Sequence, residues 1–174
     1  MTAPPRGVDP PNPPAPPAGG NAESEFDAPE QSPGFLLWRV TLSWQRRMRA
    51  ALAPHDLTHV QFVLLASLWW LEDHGGRPTQ AQLAEQAGTE VMMTSQVLRR
   101  LEARGLLARD PDPDDSRARR LRLTPAGSAL LTGALADVEA ADQAYFAVLG
   151  QDRDGFGRAL SALSAQRAEG ARAP

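Results

Sequence analysis

Apolar residues recur at helical spacing from about residue 34 onwards. The first such segment, about 34–52, carries an apolar stripe of Leu37, Trp44, Met48 and Leu52, with Leu36, Trp38 and Val40 close by. Ser32 and Pro33, which precede it, are typical of an N-cap and a first helical position. This apolar face is wider than one small core needs, so the pattern predicts a helix that also packs against a partner.

The second apolar segment is the most continuous in the chain. Residues 60–71 are apolar nearly all round, which is typical of a helix at the centre of a domain. Thr58 and Gln61 match a capping box at its start. The glycines at 75 and 76 predict its end.

Two shorter helical segments follow in close succession. Thr79 and Gln82 form a second capping box, which opens a helix that Gly88 closes. Thr89 is then placed to cap a further helix that ends at Gly105. Two short helices joined by a tight turn with glycine are typical of a helix-turn-helix motif.

An alternating segment comes after this motif. Residues 106–109 are short and extended, the turn-rich DPDPDDS follows, and ARRLRLT alternates between polar and apolar positions. This pattern predicts a two-stranded hairpin, here called the wing. Thr124 and Pro125 then open a long helix to about residue 149, and a last helix spans about 152–168. The expected fold class is therefore mainly α with a small β-wing.

The start of the chain differs in composition from the rest. Residues 1–34 hold ten of the 16 prolines and carry one arginine against five acidic residues. We interpret residues 1–33 as a disordered, proline-rich acidic tail. Without this tail the remaining chain is close to neutral, although the whole chain has a net charge of −3.

Composition also excludes several classes of chemistry. The chain has no cysteine, so disulfides and thiolate sites are ruled out. It has no glycine-rich phosphate loop or nucleophile motif, so we expect neither an enzyme nor a bound cofactor. His55 and His59 are four residues apart, but a helix cap lies between them, and we expect loop and cap residues rather than metal ligands. The first residues lack the pattern of a secretory signal, and no apolar run approaches ~20 residues, so a cytoplasmic protein without a membrane span is expected.

From about residue 34 to the C-terminus the chain resembles the MarR family of winged-helix transcription regulators. The resemblance rests on LTHVQFVLLASL, TQAQLAEQAG, SQVLRRLEARGLLAR and DDSRARRLRLTPAG, the last of which includes the family's Asp-x-Arg and Leu-Thr-x-x-Gly elements. It implies a winged helix-turn-helix domain over 34–174, with dimerisation helices at about 34–52 and 125–170 and a DNA-binding lobe at about 58–124. The implied function is a homodimeric regulator, a repressor, bound to a pseudo-palindromic operator in double-stranded DNA.

The second helix of the motif supplies the candidates for major-groove contact. Met93, Val97 and Leu101 recur every fourth residue and are expected to face the core. The DNA-contacting candidates are Met92, Thr94, Ser95, Gln96, Arg99 and Arg100. Gln96 suits adenine, and Ser95 suits a base or a phosphate. Arg100 has two open roles, phosphate contact or pairing with a nearby carboxylate, and the whole face could instead be an ordinary solvated surface.

The wing supplies the second group of DNA-binding candidates. Residues 94–122 carry eight arginines against five acidic residues. Guanidinium groups at a hairpin tip suit the narrow minor groove. The resemblance implies that Arg117 enters that groove, that Asp115 orients it and that Arg119 contacts flanking phosphates. Alternatively, the wing arginines only neutralise the neighbouring aspartates.

Aromatic residues in the first two helices raise the question of an effector. In the family that the chain resembles, small lipophilic or aromatic molecules bind between the dimer helices and the DNA-binding lobe. Trp38, Trp44, Phe62 and Trp69 are the candidates for such a pocket. The other interpretation of these rings is core and dimer interface. The alternative function is a winged helix that binds protein without specific DNA binding.

Overall fold

The computed structural model describes residues 25–112 and 119–170, with side chains up to residue 165. Six α-helices and two strands are found in these segments. They are α1 (Pro33–Leu52), α2 (His59–Gly75), α3 (Gln80–Ala87), α4 (Val91–Ala103), β1 (Leu107–Pro111), β2 (Arg119–Leu123), α5 (Pro125–Phe146) and α6 (Arg153–Gly170). The expected fold class, mainly α with a small two-stranded wing, is confirmed.

The chain divides into two compact units, Met1–Leu36 and Leu37–Pro174. In the first, residues 1–24 of the predicted tail lie outside the described residues. Residues 29–31 of that tail form a short 3-10 turn with no buried residue. The Ser32 hydroxyl accepts the Phe35 N–H at 3.3 Å, as the predicted N-cap requires.

Helix α2 lies at the centre of the second unit. It packs against α3, α4, α5 and β2. Leu64, Leu65 and Leu68 are fully buried, as are Leu98 and Leu101 of α4. Residues 60–71 are therefore apolar because their helix lies at the centre of the domain, as predicted. Trp69 and Trp70, at the end of the segment, are nevertheless exposed.

Side-chain caps set the start of three helices where the sequence predicts them. Both capping boxes are formed, at Thr58 with Gln61 and at Thr79 with Gln82. The Thr124 hydroxyl accepts the Gly127 N–H at 3.0 Å and begins α5. The prediction that Thr89 caps α4 is wrong, since the N-cap residue is Glu90 and its side chain caps nothing.

The turn between α3 and α4 and the root of the wing are tightly connected. Gly88 ends α3 in the left-handed region, with φ of 64°, which favours glycine. Strands β1 and β2 are antiparallel and pair Leu107 with Leu123. The Leu121 N–H donates to the Pro78 carbonyl at 2.8 Å. The wing is therefore held against the start of the helix-turn-helix motif.

Candidate nucleic-acid interface

Helix α4 has one buried face and one exposed face. The buried residues are Thr94, Val97, Leu98 and Leu101. Met93, predicted to face the core, is 41% exposed, so the core face is rotated from the sequence-based assignment. Met92, Gln96, Arg99 and Arg100 are exposed, and Ser95 is half-buried at the edge of the exposed face.

Thr94 is a correction to the predicted DNA-contacting set. Its side chain is 0% exposed, so it cannot reach a DNA duplex. Its hydroxyl donates to the Glu90 carbonyl at 2.9 Å, and the Thr89 hydroxyl oxygen lies 2.7 Å from it. These bonds satisfy a polar group that would otherwise be costly to bury. They also explain why Thr89 does not cap α4, because its hydroxyl is used on Thr94 instead.

A shallow groove runs along the exposed face of α4, and Gln96, Arg99, Arg100 and Ala103 line it. Arg99 donates to the Ser95 hydroxyl at 3.2 Å. Among the described residues Arg100 forms no ion pair. Glu102, one of its predicted partners, lies instead 3.1 Å from the Nε of Arg109. The described part of the chain therefore offers no support for the structural role of Arg100.

Two wing arginines are neutralised within the wing root. Arg120 donates through Nε to the buried Asp112 carboxylate. Arg122 donates to Asp110 at 2.9 Å, and Arg77, from the α2–α3 connection, donates to the same carboxylate oxygen at 3.0 Å. For these arginines, the alternative of charge neutralisation holds. Sequence alone does not single out Arg77, because its partner lies 33 positions away.

The outer end of the wing differs from its root. Arg119 is exposed and pairs in the strand register with Pro111. No carboxylate of the described residues forms an ion pair with it. Asp115 and Arg117, the other predicted wing residues, lie outside the described residues, so their predicted roles stay predictions.

Charge pairing separates the arginines of residues 58–124 into two groups. Of the eight that the structure describes, Arg77, Arg104, Arg109, Arg120 and Arg122 each lie within 3.4 Å of a carboxylate oxygen. In the same described set, the three without such a partner are Arg99, Arg100 and Arg119. All three are exposed. Exposed guanidinium groups that form no ion pair with a described carboxylate, on one helix and one hairpin, make a surface suited to anionic ligands.

The four aromatic residues predicted to line a pocket are distributed among different environments. Trp69 lines a cavity of about 390 Å³ whose other walls are Ser128, Leu131, Thr132, Leu135, Ala136 and Glu139 of α5. Phe62 belongs to the core, and Trp38 is 60% exposed on α1. The Trp44 indole donates to Asp142 at 2.6 Å. Trp69 is therefore the one member of this predicted set that borders the cavity, and the fold does not bring the other three to it.

Loop and cap positions are expected for the three histidines, but His55 ends a 3-10 turn, His59 is the first residue of α2 and His74 lies in the last turn of α2. The His55 Nε2 lies 2.7 Å from an Asp137 carboxylate oxygen. The His59 ring packs against the Trp44 ring in a T-shaped contact, with 4.9 Å between ring centroids. Burial lowers the pKa of His59 from its usual 6.5, and the negative charge of Asp142 partly opposes that shift. Within the described residues, no group of three or more His, Asp or Glu side chains is placed to hold a metal ion.

Comparison with known proteins agrees with this arrangement. Residues 57–118 match the MarR family. The chain is 50% identical over 124 residues to YdcH, an HTH-type transcriptional regulator of Bacillus subtilis, and the match covers 71% of this chain and 84% of YdcH. Within residues 25–112 and 119–170, no helix has both the length and the apolar character needed to cross a membrane.

Solved structures of similar fold include two regulators. The transcriptional repressor CouR, bound to a 23-mer DNA duplex, superposes with a TM-score of 0.72 at 28% identity, covering 82% of this chain and 99% of CouR. BpsR of Bordetella bronchiseptica, whose DNA binding is regulated by 6-hydroxynicotinic acid, gives a TM-score of 0.67 at 29% identity, covering 75% of this chain and 97% of BpsR. The chain belongs to the MarR family of HTH-type transcriptional regulators.

Proposed function

We propose that this protein regulates transcription as a homodimer that binds a pseudo-palindromic DNA operator, and that it acts by binding and not by catalysis. The observation that carries the proposal is the charge pairing in residues 58–124. Arginines at the wing root and at the back of the lobe are matched by carboxylates, whereas Arg99, Arg100 and Arg119 are exposed without an ion-pair partner among the described residues. Phosphate groups of a duplex are the partner that such a surface fits.

Major-groove contact is assigned to α4. The exposed position of Gln96, between Met92 and Arg99 on the helix surface, suits a bidentate contact with adenine. Ser95 accepts a hydrogen bond from Arg99, which leaves its hydroxyl hydrogen available for a base or a phosphate. Arg99 and Arg100 are assigned to phosphates that flank the groove.

Minor-groove contact is assigned to the wing. Arg119 stands at the tip-proximal end of β2, adjacent to the residues that resemble the family's Asp-x-Arg element. On that resemblance, Arg117 enters the minor groove and Asp115 orients it. The network of Asp110, Asp112 and their arginine partners supports the root from which this tip extends.

Dimerisation through the terminal helices is supported by exposed apolar side chains. On α1, Leu37, Trp38 and Val40 are exposed, and on α6 Leu163 is more than half exposed. A second copy of the chain would remove these side chains from water. Two lobes related by a two-fold axis would read half-sites whose centres lie about 34–36 Å apart.

We further propose that a small lipophilic or aromatic ligand releases the protein from DNA, so that it acts as a repressor. The supporting observation is the cavity between Trp69 and α5, whose volume of about 390 Å³ fits a small aromatic acid. The regulation of BpsR by 6-hydroxynicotinic acid shows that a structural neighbour responds to a ligand of this class. Helix α5 begins directly after the wing, so a ligand in this cavity would contact the helix that is joined to the proposed DNA-contacting hairpin.

The test is selection of bound duplexes from a random pool, followed by titration of the selected duplex at several salt concentrations. Arg99→Ala is expected to reduce the salt slope of the log affinity by about 0.9 per half-site. Arg104→Ala is the matched control, because Asp56 already neutralises this arginine. A pool without any enriched sequence would overturn the proposal and favour a protein-binding module. Equal salt slopes for Arg99→Ala and wild type would contradict the assignment of Arg99.

A further inference from the structure

The first turn of α4 exposes large apolar side chains that the core does not use. Met92 is 75% exposed and Met93 is 41% exposed. Exposed methionines in succession are unusual on a helix whose remaining exposed positions are mostly polar or charged, since Met prefers buried or partner-covered sites. We call these two side chains the methionine pair. Met92 is one of the predicted major-groove residues, but no group of the duplex has been assigned to either side chain.

Helix geometry places the methionine pair on the same surface as the polar groove. With about 100° of rotation per residue, Met92 lies one turn before Gln96, and both point away from the buried face. Met93 lies on the same side of α4 as Arg100, which comes two turns later. The pair therefore extends the groove of Gln96, Arg99 and Arg100 towards the N-terminus of α4 with an apolar patch.

The backbone beneath the methionine pair is well anchored. Thr94 is fully buried directly after the pair, and its hydroxyl donates to the Glu90 carbonyl across the first turn of the helix. The Thr89 hydroxyl approaches the Thr94 hydroxyl at 2.7 Å. The first turn is thus fixed, and the direction in which Met92 and Met93 leave the helix is set before any partner binds.

The chemistry of the duplex offers one apolar group to such a patch. In the major groove, base edges present donors, acceptors and the C5-methyl group of thymine, and only the last is apolar. Arg99 and Arg100, which have no carboxylate partner among the described residues, favour a polyanion over an apolar protein surface beside the patch. Gln96, one turn away, suits adenine.

We propose that the methionine pair contacts the C5-methyl groups of thymines, so that each half-site requires A·T base pairs where the N-terminus of α4 enters the major groove. Met92 makes the principal contact, because it is the more exposed and lies in line with Gln96. Met93 covers the adjacent base step. This inference rests on the proposed function and adds to it the identity of the bases that are read.

The test replaces each thymine of the selected duplex by deoxyuridine, which removes only the C5-methyl group. Removal of one buried methyl contact is expected to weaken wild-type binding about fourfold, and about 15-fold when both half-sites are changed. This loss is expected at one or two positions in each half-site. Met92→Ala is expected to bind the thymine duplex more weakly and to lose the preference for thymine over uracil at the position that Met92 contacts, while the position that Met93 covers keeps its preference.

Two matched variants separate methyl recognition from a general loss of affinity. Met92→Leu keeps an apolar side chain and is expected to retain a preference for thymine over uracil. Arg119→Ala is expected to weaken binding to both duplexes by the same factor, since Arg119 is assigned to phosphate. Circular dichroism and sedimentation of each variant establish whether fold and oligomeric state are unchanged.

The outcomes distinguish this inference from the function on which it rests. If a sequence is selected but uracil is tolerated at every position, the methyl contact is overturned and the proposed function stands. A change in oligomeric size for Met92→Ala with an unchanged thymine preference would also overturn it, in favour of a protein contact. If no sequence is selected, the proposed function fails and the inference fails with it.

Discussion

Gly127 lies where α5 passes closest to the backbone of residue 106. A Cβ atom built on Gly127 would lie 1.8 Å from the Leu106 carbonyl oxygen and 2.8 Å from its carbonyl carbon. The carbonyl oxygen already accepts the Thr124 N–H at 3.2 Å. The neighbouring Gly105 carbonyl accepts the Thr124 hydroxyl at 2.6 Å. Gly127→Ala therefore introduces a methyl group against the Leu106 carbonyl, in a segment that two hydrogen bonds from Thr124 already hold in place.

The loss of stability in Gly127→Ala follows from the displacement that the added methyl group requires. To reach a normal contact, α5 and the chain at Leu106 must separate by more than about 1 Å, which breaks the hydrogen bond from Thr124. Overpacking costs about 1–3 kcal/mol and loss of one hydrogen bond about 0.5–1.5 kcal/mol. Improved helix propensity returns about 0.5–1 kcal/mol. We expect Gly127→Ala to lower the free energy of unfolding by about 2 kcal/mol, within a range of roughly 0.5–4 kcal/mol.

Urea unfolding followed by circular dichroism measures this change, at one protein concentration because the proposed dimer links stability to concentration. Gly157→Ala in α6 is the matched control, since a Cβ there meets no atom within 4 Å. It is expected to be neutral or to stabilise the protein by about 0.5–1 kcal/mol. If Gly127→Ala unfolds at the same urea concentration as Gly157→Ala, the close approach at Leu106 does not constrain the fold and the reasoning is wrong.

His59, Asp112 and the N-terminal tail give three further predictions. Because burial lowers the pKa of His59, its contribution to stability is present above pH 6.5 and is lost as pH falls towards its folded pKa. The unfolding free energy should change with pH by well below the ~1.4 kcal/mol per pH unit of a full proton, since the His59 ring is only half-buried. In urea unfolding, His59→Gln should reduce this dependence of stability on pH, while the same change at the exposed His74 should not. Asp112→Asn should destabilise the protein by about 1–3 kcal/mol, because it removes a buried charge from Arg120, and the half-buried Asp110→Asn should cost less. Deleting residues 1–32 should leave folding and sedimentation intact, with a loss of stability no larger than the Ser32 cap provides, about 0.5–2 kcal/mol. It should also tighten DNA binding slightly, since it removes a net charge of −4; loss of folding would contradict the interpretation of this segment as a tail.

Local sequence patterns determined the order and the starts of most helices. Thr58 with Gln61, Thr79 with Gln82, and Thr124 with Gly127 are three residues apart, and each forms the expected cap. Such bonds depend only on the first turn of the helix, so they can be read from sequence. The alternation of residues 119–123 likewise predicted β2, because one face of that strand is buried.

Side-chain rotation on α4 could not be read from hydrophobicity alone. A pattern of apolar residues places Met93 in the core and leaves Thr94 outside, whereas the structure buries Thr94 and exposes Met93. The hydroxyl of Thr94 is satisfied by Glu90 of its own turn and by Thr89, so its burial carries little penalty. The exposed methionine pair is recognisable only once this rotation is known.

Tertiary structure also decided which of the described arginines pair with a described carboxylate. Arg77 meets Asp110 from 33 positions away, and Arg122 reaches the same carboxylate from the opposite strand of the wing. Arg119 lies on the same strand as Arg122, yet it faces Pro111 and forms no ion pair with a described carboxylate. Net charge and local composition do not distinguish these arginines from one another. Their difference arises from the register of β1 with β2 and the packing of the α2–α3 connection, which bring distant charges within the few ångströms where ion pairing is effective.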